Sequence, residues 1–279
     1  MSTGLLGFET IEHRQGEADA YISASRLNCW LTCPLKWAYR YLEGIRTPTT
    51  PALFVGKACH SGLEIYYRHL QLGITLETNE VTGKFLESWA GLVDQEKPIF
   101  KDVADEQALR KQVCGLVEAY LAIVPPNEKP LAVEVAVEAP LFDPESGEDL
   151  GMPLVGVIDL VLEGESGPVI ADFKTSSRSS EPMEISHEIQ LSSYAWLYRQ
   201  ITGRKEAGIE IRSLIKTKTP KIEFHEYAAR TDAHFRRLFS VIREYLEALD
   251  RGRFNYRPGW GCSMCDFKDG PCRAWQGSM

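Results

Sequence analysis

The chain has 279 residues, 44% of them hydrophobic and 25% charged, a globular balance that excludes disordered, collagen-like and coiled-coil architectures. With 39 acidic against 31 basic residues its net charge is −8, which argues against coating nucleic acid or an anionic membrane with the whole surface and leaves a local basic groove open. No run reaches the roughly 18 apolar residues of a membrane span, and the start lacks the basic-then-apolar order of a secretory leader, so the expectation is a cytoplasmic chain with reduced thiols and no membrane partner.

Residues 1–22 read as a flexible N-terminus ahead of one domain over 23–279. Ser25 to Leu42 gives two short helices broken at Pro34, a residue suited to the first turn of the second. Gly56 to Leu72 gives another helix, closed by Gly73. Helical text continues from about Glu80 to Val124 and stops at Pro125-Pro126, so a helical part covers about 57–125. The pattern then changes. Leu131 to Phe142 alternates like a strand, and Asp143 to Gly151 is turn material. Two β-rich runs, PLVGVIDLVLE and PVIADFK, are joined by Gly164-Glu165-Ser166-Gly167 as a hairpin. His187 to Gln200 returns to helical spacing, and IEIRSLIKT with KIEFHEYA makes a second hairpin near Pro220, completing a core over about 131–230. Thr231 is a plausible N-cap for a helix reaching Asp250, with Gly252 just past its end. A Cys-rich segment closes the domain over about 231–275. The class is α/β with a mixed sheet, a helical front and a Cys-rich back.

Asp159, in GVIDLVLE, and Asp172 with Lys174, in IADFKTS, hold most of the chemical information. An antiparallel hairpin brings Asp159 and Asp172 side by side, and Asp172 and Lys174 share a strand face. Two carboxylates crowded together need a cation; hard oxygen donors suit Mg²⁺ or Mn²⁺, and a nearby ammonium can stabilise charge building on a phosphate. His60 could add a nitrogen ligand, with Glu64 four positions on along the same helix face. Gln190 and Tyr194 share a helix face in the same way.

These pieces resemble the RecB-like branch of the PD-(D/E)XK nuclease superfamily, whose order is G-x-x-x-H, G-x-x-D, D-x-K, then Q-x-x-x-Y. The chain has Gly56-x-x-x-His60, Gly156-x-x-Asp159, Asp172-Phe173-Lys174 and Gln190-x-x-x-Tyr194 in that order. The resemblance implies a restriction-endonuclease-like mixed sheet flanked by helices. It also implies a metal held by His60, Asp159, Asp172 and the Phe173 carbonyl, a Lys174 that orients the attacking water, and Gln190 and Tyr194 holding scaffold and substrate backbone. Glu134 is a further candidate for an extra acidic position.

Cys262-x-x-Cys265 and Cys272, beside Gly261 and Gly270, read as a loop wrapped around a metal. Cys33 is the best fourth ligand, and Cys29 its rival. The resemblance to cluster-containing members, the CRISPR-associated RecB-like proteins and the AddB nuclease domain, implies a [4Fe–4S] cluster on Cys33, Cys262, Cys265 and Cys272; Zn²⁺ suits four thiolates as well. Arg236, Arg237, Arg251, Arg253 and Arg257, with Tyr256 and Trp260, outline a basic aromatic path for single strands. The functional expectation is a metal-dependent DNA exonuclease acting on single strands or DNA ends, with other subunits of a DNA-processing complex as further partners. The alternative is a non-catalytic DNA-binding accessory subunit that retains the fold.

Overall fold

The computed structural model describes residues 20–179 and 183–277; residues 1–19 of the expected flexible N-terminus lie outside the described residues. Five strands form one sheet in the order β1-β2-β3-β4-β5: β1 (Pro130–Ala139), β2 (Leu154–Gly164), β3 (Gly167–Ser176), β4 (Gly208–Ile215) and β5 (Lys221–Ala228). All neighbours are antiparallel except β3 and β4. That parallel pair needs a crossover, and helix α6 (Met183–Thr202) supplies it. The mixed sheet and both hairpins therefore follow the alternation and turn pattern of the sequence.

Helices cover both faces. On one side α3 (Pro51–Gln71), α4 (Thr78–Glu96) and α5 (Val103–Leu121) bury Phe54, Tyr67, Phe85, Leu116 and Tyr120 against Leu160, Phe173 and Leu214 of the sheet. On the other, α1 (Ala24–Thr32), α2 (Pro34–Tyr41), α6 and α7 (Asp232–Asp250) pack Trp30, Trp37, Leu197 and Tyr245 against Ile158, Ile170 and Ile211. In α7 the apolar stripe Phe235, Leu238, Phe239, Ile242 and Tyr245 has the spacing of a helix docked by one face. Ile22 is fully buried and bridges to Leu154. Helix α3 starts at Pro51, five residues before the expected Gly56, because Thr50 caps it through Leu53 N–H and Pro51 takes the first turn. A short helix α8 (Pro271–Gly277) ends the fold. Among the described residues no helix is long and apolar enough to cross a membrane.

The loop between β1 and β2 is anchored by Asp143. Its Oδ1 accepts the N–H groups of Glu145 and Ser146, and Arg243 of α7 donates to its Oδ2 at 2.9 Å. The Ser146 N–H, helped by Arg243 and the Glu145 N–H, holds the Asp143 carboxyl down at about 2. A lowered folded-state pKa contributes stability present above the unfolded value, lost as pH falls through the folded one. Thermal melts of Asp143→Asn should accordingly show a flatter decline between pH 3.8 and about pH 2 than the parent; parallel acid limbs would refute the assignment.

Candidate active site

Strands β2 and β3 pair from Gly164↔Gly167 up to Leu160↔Ala171 and part where Asp159 would face Asp172. The Asp159 side chain takes over there: its Oδ2 accepts the Phe173 N–H at 2.8 Å. This opening leaves both carboxylates at one point, Asp159 5% exposed and Asp172 fully buried. Asp172 Oδ2 lies 2.7 Å from Lys174 Nζ. Lys174 donates to Gln190 Oε1 at 2.8 Å, while Gln190 Nε2 lies 3.0 Å from Asp172 Oδ1 and 2.8 Å from the Tyr194 hydroxyl. One amide of α6 thus ties the lysine, the carboxylate and the tyrosine together.

Helix α3 delivers His60. Its Nε2 lies 3.0 Å from the Phe173 carbonyl oxygen, and its Nδ1 lies 3.4 Å from Glu134 and 3.5 Å from Asp159. Glu134 reaches this point through an irregular backbone: its φ is +43°, a left-handed conformation that non-glycine residues adopt rarely and that concentrates at functional sites. The reversal switches the strand's facing, so Val133 enters the α3 side of the core and Val135 the α6 side. Glu64 does not join the cluster; it pairs with Arg68 one turn on.

Both motif glycines have packing reasons. A Cβ on Gly156 would stand 2.8 Å from Leu197 Cδ1 of α6, and one on Gly56 3.1 Å from Thr175 Oγ1. Close approach of α6 and α3 to the sheet is what presents Gln190, Tyr194 and His60 to the carboxylates.

The electrostatics fit a cation. Burial, reinforced by Asp172 and Glu134 and opposed by His60, raises Asp159 to about 7. Burial alone would lower His60, yet Asp159, Glu134 and Asp172 lift it to about 9. Without added positive charge these groups retain protons, and a divalent ion would relieve the same crowding. One ligand atom each from His60, Glu134 and Asp159 lies within 4.8 Å of the others, and Glu134 Oε1 has the His60 ring as its neighbour at 3.4 Å.

The cysteines meet beside the N-terminal end of α2, which Cys33 caps. Cys33, Cys262, Cys265 and Cys272 line one cavity of about 760 Å³ with Tyr39 and Phe267; Cys29 does not line it. Burial, with the neighbouring Cys265, Cys33 and Cys262, raises the Cys272 thiol. Cys59 is buried in α3, away from this cavity. Along the expected basic path, Arg236 pairs with Glu145, Arg237 with Glu188 and Arg251 with Glu247, while Arg257 donates to the Leu31 carbonyl and keeps its charge.

A family model described as the PD-(D/E)XK nuclease superfamily matches residues 21–270. No curated protein matches the chain. Among solved structures, a "putative exonuclease" from Eubacterium rectale is 16% identical over 90% of this chain and 88% of its own, with a TM-score of 0.51, a likeness of fold. The structure of SSO0001 is 15% identical over 89% of this chain and 93% of its own, with a TM-score of 0.37. With the family pattern running through nearly every element just described, from the first core strand contact to the cysteine segment, this chain belongs to the PD-(D/E)XK nuclease superfamily.

Proposed function

We propose that the chain is a divalent-metal-dependent deoxyribonuclease, an exonuclease on single strands or DNA ends, of the RecB-like branch that carries an iron–sulfur cluster. The observation that carries this reading is the junction of two sets: the His60–Glu134–Asp159 group and the Asp172–Lys174–Gln190–Tyr194 hydrogen-bonded chain. A binding module has no need of that combination.

His60, Asp159, Asp172, Glu134 and the Phe173 carbonyl would hold Mg²⁺ or Mn²⁺, which supplies Lewis-acid polarisation of the phosphoryl oxygen and acidifies water. Asp159 has a second task. By accepting the Phe173 N–H it fixes the peptide whose carbonyl faces His60. Lys174 orients the attacking water and offsets charge developing on the phosphate. Gln190 sets the direction of that ammonium, and Tyr194, with its hydroxyl on Gln190, keeps the amide from turning.

End-labelled single-stranded and duplex DNA, incubated with the full chain in Mg²⁺, Mn²⁺ or EDTA, tests the reading. Shortening from one end, abolished by EDTA, is expected; an inert protein that still binds DNA would favour the accessory-subunit reading.

Cys33, Cys262, Cys265 and Cys272, gathered on one cavity, would hold a [4Fe–4S] cluster, with tetrahedral zinc as the rival for four thiolates. Anaerobically purified Cys262→Ser is expected to lose about four irons per chain together with the brown absorbance, while Cys29→Ser keeps both; stoichiometric zinc in the parent would overturn the cluster.

A further inference from the structure

His187 is a polar group on the same side of α6 that the chemistry so far does not use. It stands three positions before Gln190 and seven before Tyr194, which places all three on one helix face; roughly 4.5 Å of helix axis separates it from Gln190. It is half-buried, and its charged neighbours at the site are Lys174 and Asp172. Gln190 and Tyr194 are both tied into the site by hydrogen bonds, whereas His187 has no hydrogen bond or ion pair with any described residue. The acids nearest to it along α6 are engaged: Glu184 with Arg230 and Glu188 with Arg237.

Burial, and after it the Lys174 ammonium, hold the His187 imidazole below its ordinary pKa, with Asp172 opposing. At neutral pH the ring is therefore uncharged, with one N–H to donate. A donor with no partner among the described residues, about one helical turn from Gln190 and with an ammonium as its charged neighbour, suits an anion. Asp172 is already partnered by Lys174 and Gln190, so His187 is not needed to hold it. The next anion along a bound strand is the neighbouring phosphate.

We propose that His187 contacts substrate directly, donating a hydrogen bond to a non-bridging oxygen of the phosphodiester that adjoins the scissile one on the strand being cut. This rests on the nuclease reading of the site. The contact is made alike in ground and transition states, so its loss is a loss of uniform binding.

The test uses the full chain and a labelled single-stranded oligonucleotide, with cleavage followed in Mg²⁺ and binding followed in EDTA. A hydrogen bond to a charged acceptor is worth about 1.5–3 kcal/mol, so His187→Ala should raise KM about tenfold or more, with kcat within about twofold. Binding in EDTA should weaken by a similar factor. The salt slope should not change, because a neutral donor releases no counterion. His187→Gln, which keeps an N–H donor, should recover most of the loss, and both melting temperatures should match the parent. Unchanged KM and binding in His187→Ala overturn the proposal, as does a fall in melting temperature that accounts for the loss, or a fall in kcat alone. If the parent binds but does not cleave, the nuclease reading fails by itself, and the EDTA binding ratio still decides His187.

Discussion

Lys174→Ala is expected to lower kcat by about 10²–10⁴-fold, the range for removing a positioned proton-handling or charge-stabilising group. The same change also removes the counter-charge of Asp172, whose carboxylate is fully buried and 2.7 Å from the ammonium. An unpaired buried carboxylate costs stability, about 1–3 kcal/mol, so loss of activity in this variant alone would be ambiguous. Two companions separate the effects. Asp172→Asn removes the acid and leaves Lys174 on the Gln190 amide oxygen. The double variant Asp172→Asn with Lys174→Met removes both charges together, which avoids the penalty of a stranded ion. All three should be inactive, while the double variant melts close to the parent. Cleavage above a hundredth of the parental rate in the folded double variant would remove Asp172 and Lys174 from the chemistry.

The two carboxylates, Asp159 and Asp172, were the most legible part of the site. The short Gly164–Gly167 turn sets the hairpin register, and the register alone puts Asp159 opposite Asp172. What the sequence did not disclose is that the ladder stops one step earlier, with the Asp159 side chain replacing a backbone acceptor for Phe173. Glu134 was a candidate from the resemblance, but its backbone conformation was not legible. LAVEVAVEA has no glycine, asparagine or aspartate to mark a left-handed residue, so nothing signalled the reversal at φ +43°. The sequence pointed to the basic run around α7 from composition, but its carboxylate partners lie in the β1–β2 loop, on α6 and within α7 itself. Pairing of that kind depends on tertiary placement. His187 shares a helical face with Gln190 and Tyr194 by spacing alone, but it lies outside the Q-x-x-x-Y pattern. Arg212 illustrates a different limit. In IEIRSLI it looks like the polar face of an exposed strand, yet β4 is paired on both edges and covered on both faces, so the polar positions are buried too.

Arg212→Met is expected to be the most destabilising single change in the molecule outside the apolar core. The side chain is 3% exposed and its guanidinium is fully used. Nε and Nη2 donate to Glu210 Oε2 at 3.0 and 2.7 Å. Nη2 also reaches Glu128 Oε1 at 2.7 Å, and Nη1 reaches the Tyr67 and Tyr120 hydroxyls at 2.7 and 2.5 Å. Removing the cation strands two buried carboxylates, a loss of about 3–5 kcal/mol, read as a drop of roughly 6–20 °C in melting temperature for a chain of this size. Arg212→Lys keeps the charge but lacks the planar fork, so it should recover only part. Arg212→Met combined with Glu210→Gln and Glu128→Gln should recover more than Arg212→Lys, because no ion is left unpaired; a triple variant no more stable than Arg212→Met would refute the ionic explanation. The network also bears on the site. The rings of Tyr67 and Tyr120 pack against Phe173 at centroid distances of 5.9 and 5.7 Å, and the Phe173 peptide is the one that Asp159 fixes and His60 faces. Arg212→Met should therefore lower kcat even well below its melting temperature, whereas truncations of equal stability cost at Leu238 or Ile242 of α7, which carries no site residue, should not, and equal kcat in the two classes would confine Arg212 to stability alone.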